Sequence, residues 1–140
     1  MWKMIFVQII GMQEIYVSMK KYFRFMDLQI WQDGMAISDK LEPIADRMEE
    51  LRKFRHAEQL RAACLSITIN IAEGAGSSGN KEFALFLNYA RRSVFECANV
   101  ILYFNRHQLL RDEECEILCG ELMILSQKIH NIRKQLAIQA

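Results

Sequence analysis

The sequence predicts an all-α protein, an antiparallel up-and-down four-helix bundle, and three observations support this. The 140 residues include one proline and six glycines, which leaves little material for the many turns of a β-protein. Apolar residues recur at alternating steps of three and four along four stretches, which is the spacing of amphipathic helices. Short connections between consecutive stretches favour antiparallel neighbours.

The first helical stretch contains a proline within its apolar pattern. Its seam is Ile30, Gly34, Ile37, Leu41, Ile44, Met48 and Leu51. Leu28, Trp31 and Met35 widen this face. Because Pro43 removes one backbone donor, we expect a kink or break near residues 39–43.

The second stretch, about residues 57–72, is apolar on two sides, which is more than one bundle needs. One side consists of Leu60, Ala63, Cys64, Ile67 and Ile71. The other consists of Leu65, Ile69 and Ala72. The glycine-rich segment 74–80 is expected to end this helix and to be the longest irregular segment, with Asn80 as the N-cap of the next helix.

The third and fourth stretches complete the predicted core. The third seam is Phe83, Leu87, Ala90, Val94, Cys97, Ile101 and Phe104. The fourth is Cys115, Leu118, Leu122, Leu125, Ile129, Ile132 and Leu136. Asp112 is predicted to be the N-cap of the fourth helix, because Glu113 and Glu114 follow at its positive end. The bundle is assigned to residues 25–140.

Residues 1–24 are predicted to form an N-terminal extension. The apolar residues 1–12 are interrupted by Lys3, Gln8 and Gly11 and are too few to span a bilayer. No small-residue cleavage site follows them. Two alternatives stay open: either translation starts at Met19, or the segment packs on the bundle or on a partner. We expect no membrane association and a cytoplasmic location.

The composition argues against several kinds of site. Eighteen basic and seventeen acidic residues give a net charge of +1, which indicates neither a polyanion-binding nor an acidic protein. The cysteines Cys64, Cys97, Cys115 and Cys119 form no C-x-x-C pair, so we expect reduced, buried thiols. Cys115 and Cys119 would share a helix face, but no second pair completes a metal site. No metal and no cofactor are expected.

Polar residues at helical spacing interrupt the apolar pattern on the second and third helices. They are Gln59, Ser66, Asn70 and Glu73, followed by Glu82, Tyr89, Ser93 and Glu96. A hairpin closing near residue 77 would place Gln59 near Glu96. Because an unsatisfied buried polar group costs about 1–3 kcal/mol, we interpret these residues as an interhelical network that sets the register. The alternative is a ligand or partner site.

Several of these residues carry a resemblance to a known family. Phe25-x-x-Leu28-x-x-Trp31-Gln32 resembles the opening signature of the proteins encoded in intervening sequences of bacterial 23S rRNA genes. Its central signature resembles Gln59-Leu60-Arg61, Ser66-Ile67 and Asn70-Ile71-Ala72-Glu73-Gly74. The signature that follows resembles Glu82-Phe83, Phe86-Leu87, Ala90-Arg91, Ser93 and Glu96. The resemblance covers about residues 25–136.

The resemblance implies an up-and-down four-helix bundle that assembles into a homopentameric ring. Related proteins act as accessory factors beside reverse transcriptases, and no enzymatic activity is established for the family. This chain has Ala62 where the family usually has a basic residue, and Arg92 where it usually has glycine. We therefore expect Arg92 to replace the missing basic group and to reach Glu96 or Gln59. The polar seam is then Gln59, Ser66, Asn70, Glu73, Arg92, Ser93 and Glu96.

Two functions are weighed against an enzyme. The first is a non-enzymatic oligomeric scaffold that contacts RNA or a nucleic-acid-processing protein, with Arg52, Lys53 and Arg55 as candidate contacts because they cluster near a helix start. The second is a purely structural or protein-interaction module without nucleic-acid binding. An enzyme is disfavoured, because no catalytic motif surrounds any of the three histidines.

Overall fold

A computed structural model describes residues 12–19 and 22–139. The long helices within these ranges are α1 (Gln29–Glu50), α2 (Phe54–Ala75), α3 (Asn80–Arg106) and α4 (Asp112–Gln139). A 3-10 helix, Arg24–Asp27, precedes α1, and residues 12–19 are also helical. No residue in the two ranges belongs to a strand. The prediction of an all-α fold is confirmed.

The long helices pack around one core in chain order. Helix α1 lies against α2, α2 against α3 and α3 against α4, while a smaller contact joins α4 to α1. The connections are residues 51–53, 76–79 and 107–111. In the described part of the chain, no helix is both long enough and apolar enough to cross a membrane.

The predicted apolar seams form the core. The largest fully buried side chains are Phe104, Ile30, Leu41, Met48, Leu60, Ile67, Ile71, Leu87, Ile101, Leu122, Leu125 and Ile129. Burying one such side chain stabilises the folded state by about 1.5–3 kcal/mol relative to leaving it in water. The seams weaken only at their ends: Leu51 is 55% exposed, and Ile132 and Leu136 are partly buried against the core.

Helix α1 runs without interruption through Pro43, so of the kink or break predicted near residues 39–43 the break does not occur. Pro43 and Asp39 both lie on the exposed side of the helix. The Asp39 carbonyl, which loses the Pro43 donor, therefore faces water that can replace the missing bond. Leu41 and Ile44 hold the same turn against the core.

The connections differ from the prediction in length, and the helices that follow them differ in their N-caps. Because α2 continues to Ala75, residues 76–79 form a short connection and the longest one is residues 107–111. The N-cap of α3 is Gly79 rather than Asn80, and its carbonyl accepts the Phe83 amide at 3.0 Å. Asp112 is likewise the first residue of α4 rather than its cap, because the preceding carbonyl, that of Arg111, accepts the Cys115 amide at 3.0 Å.

The described part of the N-terminal extension contacts α1. The ring centroids of Tyr16 and Trp31 lie 6.4 Å apart, and Phe25 packs on the same indole at 5.3 Å. Residues 1–11, 20 and 21, which include nearly all of the apolar segment 1–12, lie outside the described residues.

Gly74 stays within α2 because the neighbouring helix comes too close for a side chain. A Cβ at this position would lie 2.8 Å from Phe83 Cδ2 and 2.8 Å from Phe86 Cβ. The second contact involves an atom next to the backbone, so rotation of a ring cannot relieve it. The glycine therefore sets the approach of α2 to α3. The helix ends one residue later, at Ala75, with Gly76 as its C-cap, so the glycine-rich segment does end it as predicted.

We expect Gly74→Ala to lower the free energy of unfolding by about 1–3 kcal/mol, because the added methyl group must push the two helices apart. Urea denaturation at fixed protein concentration measures this loss. Gly76→Ala is the matched control, because its new Cβ meets no atom closer than 3.5 Å and its φ is −83°. Equal unfolding free energies for the two variants would contradict the close approach.

Candidate functional site

The basic residues proposed from the sequence lie in the turn between α1 and α2. Arg52 has a left-handed backbone with φ of 59°, and its amide donates to the Glu49 carbonyl at 2.8 Å. The Lys53 amide donates to the Met48 carbonyl at 2.7 Å. This bonding leaves the Arg52 and Arg55 side chains exposed and Lys53 half-buried. None of the three basic side chains forms an ion pair with a residue that the structure describes.

The start of α2 adds to the positive potential of this turn. The helix has no side-chain cap and no acidic residue in its first turn. Its first N–H groups therefore carry an uncompensated partial positive charge, which attracts anions. The exposed carboxylates of Glu50 and Glu58 lie nearby in the chain, so the positive excess is small.

A row of aromatic rings adjoins the basic turn. His56 stacks on the buried Phe104, with ring centroids 5.7 Å apart and planes inclined by 24°. Tyr103 lies 5.9 Å from His56, and His107 lies 4.2 Å from Tyr103. Since Tyr103 is 48% exposed and His107 is exposed, the row extends from the core to solvent.

The ring row was not predicted from the sequence. The end of α3 and the start of α2, which contribute its members, are far apart in the chain and meet only after folding. Arg55 precedes His56, and Arg106 precedes His107, so each histidine has a cation as its neighbour in the sequence. The only local signal was the spacing of Tyr103 and His107, which are four residues apart at the end of a helix.

The polar seam lies along α2 and α3 but bonds mostly within each helix. Gln59 Nε2 donates to Glu96 Oε1 at 2.5 Å, which is the expected cross-helix contact. Asn70 and Ser93 instead donate to backbone carbonyls one turn earlier in their own helices, at 2.7 and 3.1 Å. The sequence therefore predicted the register of α2 against α3 correctly. The predicted network of hydrogen bonds between α2 and α3 is more extensive than the one that the structure contains.

Arg92 does not make the predicted contact with Glu96 or Gln59. Five residues line an open cleft of about 400 Å³: Asn70, Tyr89, Arg92, Ser93 and Glu96. Arg92 is exposed and has no hydrogen bond or ion pair within the described ranges. The physical reason is that an exposed guanidinium is well solvated by water, and an ion pair on the surface would stabilise it by only about 0–1 kcal/mol. Glu73, at the far end of the seam, is exposed.

Arg61 is the polar residue that sequence analysis undervalued. Its Nε donates to Glu42 Oε2 at 2.9 Å, its Nη2 to Asp46 Oδ1 at 2.6 Å, and its Nη1 to Glu49. The hydrogen bonds to Glu42 and Glu49 raise the pKa of the guanidinium above its ordinary value. Glu42, Asp46 and Glu49 lie on one face of α1, at steps of four and three residues. This spacing is the sequence feature that could have predicted the contacts of Arg61.

Ion pairs also join α1 to α4. They are Lys40–Glu121, Arg47–Glu114 at 3.1 Å and Lys128–Asp33 at 2.7 Å. Burial opposes ionisation of Asp33, but hydrogen bonds from Lys128 and Gln29 and the charge of Lys128 together outweigh it. Burial likewise opposes ionisation of Glu114, but the hydrogen bonds and charges of Arg47 and Arg111 together outweigh it. The pKa of each carboxyl group therefore lies below its ordinary value.

The thiols fill the core rather than a reactive site. Cys64, Cys97 and Cys115 are buried. Contact with Cys64 and burial raise the pKa of Cys97, and burial raises the pKa of Cys119 to about 11. Among the described residues, no group of three or more His, Cys, Asp or Glu is placed to hold a metal ion.

We expect acid to weaken the α1–α4 contact. The folded-state pKa of Glu114 lies below the unfolded value of about 4, so its stabilisation is complete above that value and is lost as pH falls. Glu114→Gln should lower the free energy of unfolding by up to about 1 kcal/mol at pH 6 and by much less at pH 3. Urea denaturation at both pH values measures the difference. Glu116→Gln is the control, and a Glu114→Gln effect that stays constant with pH would contradict the expectation.

Comparison with known proteins bears on the part of the chain that forms the long helices. A comparison with curated proteins gives no match. The family model described as 23S rRNA-intervening sequence protein matches residues 26–131, which span α1, α2, α3 and most of α4. The match includes the basic turn, the ring row, the polar seam and Arg61. The chain therefore belongs to the 23S rRNA-intervening sequence protein family.

Proposed function

We propose that the protein is a non-enzymatic, homo-oligomeric scaffold that contacts RNA through the turn between α1 and α2. The observation that carries this proposal is the set of unpaired cations, Arg52, Lys53 and Arg55, beside exposed aromatic rings. RNA-binding surfaces combine these two kinds of side chain. The RNA is either free or held by a nucleic-acid-processing protein, and the proposed location is the cytoplasm.

The proposed architecture is an antiparallel up-and-down four-helix bundle. Connections of three to five residues are too short to return the chain along the length of a helix, so consecutive helices run in opposite directions. The pairing of each helix with its neighbours in the chain agrees with this order.

Two exposed apolar surfaces support self-association. The α2 surface consists of Ala62, Leu65 and Ile69, which point away from the core, and Leu65 is 59% exposed. The α3–α4 surface consists of Leu85, Phe95, Leu102 and Met123. Contiguous exposed apolar patches are typical of protein contact sites, and we propose that each of these two sets forms one.

The two surfaces support a ring rather than a symmetric dimer. Leu85 lines a groove of about 620 Å³ that also contains Arg133 of α4, whereas the α2 surface lies on a different helix. A contact between two different surfaces is heterologous and closes into a ring when the rotation permits. On the basis of the family resemblance, we propose five subunits.

We expect Leu65→Glu and Phe95→Glu each to reduce the oligomer to monomers, because each places a charge in one of the two surfaces. A mixture of the two variants should form heterodimers, since each retains the surface that the other lacks. Light scattering at micromolar concentration measures both results. Ile138→Glu, which changes an exposed residue outside both surfaces, should leave the oligomer intact. A monomeric unmodified protein would contradict the proposal.

We expect RNA binding to be weak per subunit, tolerant of sequence and strongly dependent on salt. A ring multiplies the basic turn by its subunit number, so avidity strengthens individually weak contacts. If three phosphates are neutralised, affinity should fall about 40-fold between 50 and 200 mM salt. Filter binding with a structured RNA measures this slope.

Replacing Arg52, Lys53 and Arg55 together by alanine should abolish most of this binding. The matched control replaces Arg24, Arg92 and Lys134, which are also exposed basic residues. Unchanged affinity in the first triple variant, or an equal loss in the second, would remove RNA contact from this turn. If the unmodified protein does not bind at 50 mM salt, the exposed apolar surfaces favour the alternative, a protein-interaction module without nucleic-acid binding.

A further inference from the structure

The ring row has features that core packing does not require. The apolar seam of α3 ends at Phe104, which is 1% exposed, yet the aromatic contacts continue outward through His56, Tyr103 and His107. The Tyr103 hydroxyl and both imidazoles have no hydrogen-bond partner among the residues that the structure describes. Tyr103 and His107 are therefore exposed to water, and the half-buried His56 connects them to the buried ring of Phe104.

The anchoring matters because a stacking surface must be held in place. His56 lies half-buried on α2 and is stacked on Phe104 at 24°. Tyr103 and His107 lie one turn apart on α3, with their ring centroids 4.2 Å apart. Two helices that are packed on each other thus hold the row, and its outer members lose little conformational freedom when they bind a further ring.

The charges around the row match a nucleotide chain better than another flat ligand. Arg55 and Arg106 adjoin the rings in sequence, and Arg52 and Lys53 lie in the preceding turn. A cationic path with aromatic rings beside it is the arrangement by which proteins bind single strands, where successive bases stack on side chains and phosphates meet the cations. In a duplex the base faces are already stacked on one another and cannot reach such rings.

We infer that His56, Tyr103 and His107 form a stacking platform for an unpaired base, so that the RNA-binding turn selects single-stranded segments over duplexes. This inference rests on the proposed RNA contact and adds the class of RNA that is bound. Each subunit offers one platform, and the neighbouring cations hold the phosphates on either side of the stacked base. Base identity is not selected, because every base presents a flat face to the ring.

The test compares an oligouridylate RNA, whose bases stack little on one another, with an RNA duplex of equal strand length at the same salt concentration. Fluorescence anisotropy with the full-length protein should give tighter binding of the single strand. Tyr103→Leu should weaken single-strand binding about 5- to 100-fold, because one stacked base is lost, and should leave duplex binding unchanged. Tyr103→Phe retains the ring and should retain most of the affinity, whereas His107→Leu should behave like Tyr103→Leu.

Two controls separate stacking from misfolding and from charge. Tyr89→Leu changes a similarly exposed tyrosine of the same helix, about 21 Å away along the axis, and should leave both affinities unchanged. Circular dichroism melting and light scattering of every variant exclude effects of unfolding or dissociation. The same oligonucleotide made as DNA should also bind, since stacking and phosphate contact do not need the 2′-hydroxyl.

The outcomes distinguish this inference from the proposed function. If single strand and duplex bind equally and Tyr103→Leu has no effect, while the triple alanine variant of the basic turn still loses affinity, then the platform is overturned and the RNA contact stands. If neither RNA binds the unmodified protein, the proposed RNA contact fails and the platform fails with it.

Discussion

Helix α2 lies against both α1 and α3 with no room for an additional atom at the closest points. A Cβ on Gly34 would lie 3.1 Å from Thr68 Cγ2, and one on Gly74 would meet two phenylalanines at 2.8 Å. These approaches leave Ile67 and Ile71 without exposed surface. A shift of α2 by one residue would turn its seam by about 100° and expose these side chains. The register that buries the seam also sets His56 on Phe104, so the candidate site depends on the close packing of this helix.

The helix period predicted most of the core, because a residue every three or four positions faces the same side whatever the partner is. The ends of elements were less predictable. Gly74 must be a glycine because Phe83 and Phe86 of the neighbouring helix come close, which the residues of α2 alone do not show. Pro43 is tolerated because it lies on the exposed side of α1, outside the apolar seam. The contacts of Arg61 and the ring row were harder still to predict, since they depend on the angle at which each helix faces its neighbour. The Gln59–Glu96 hydrogen bond could be predicted because a short connection determines the pairing of α2 with α3.

A chain with a net charge of +1 can still present a basic surface, because its charges are not paired at random. The acidic residues of α1 are largely engaged by cations of other helices, including Arg61 and Lys128. Each of these pairs lies along the contact between two helices. The side chains of the α1–α2 turn have no such partner in the described structure. Pairing along the helices therefore leaves positive charge at one end of the molecule. The net charge of the whole chain does not reveal this local excess.

The buried thiols can be used to measure the internal motions of this protein. Cys64, Cys97 and Cys115 belong to three different helices and are covered by their neighbours. A thiol reagent reaches a buried sulfur only during a transient opening, so the modification rate measures how often that part of the core separates. Cys64 and Cys97 contact each other between α2 and α3, whereas Cys115 lies on α4, so comparison of their rates would distinguish opening of the α2–α3 contact alone from concerted opening of the whole core. No label or substitution has to be introduced, since the native side chains serve as the probes.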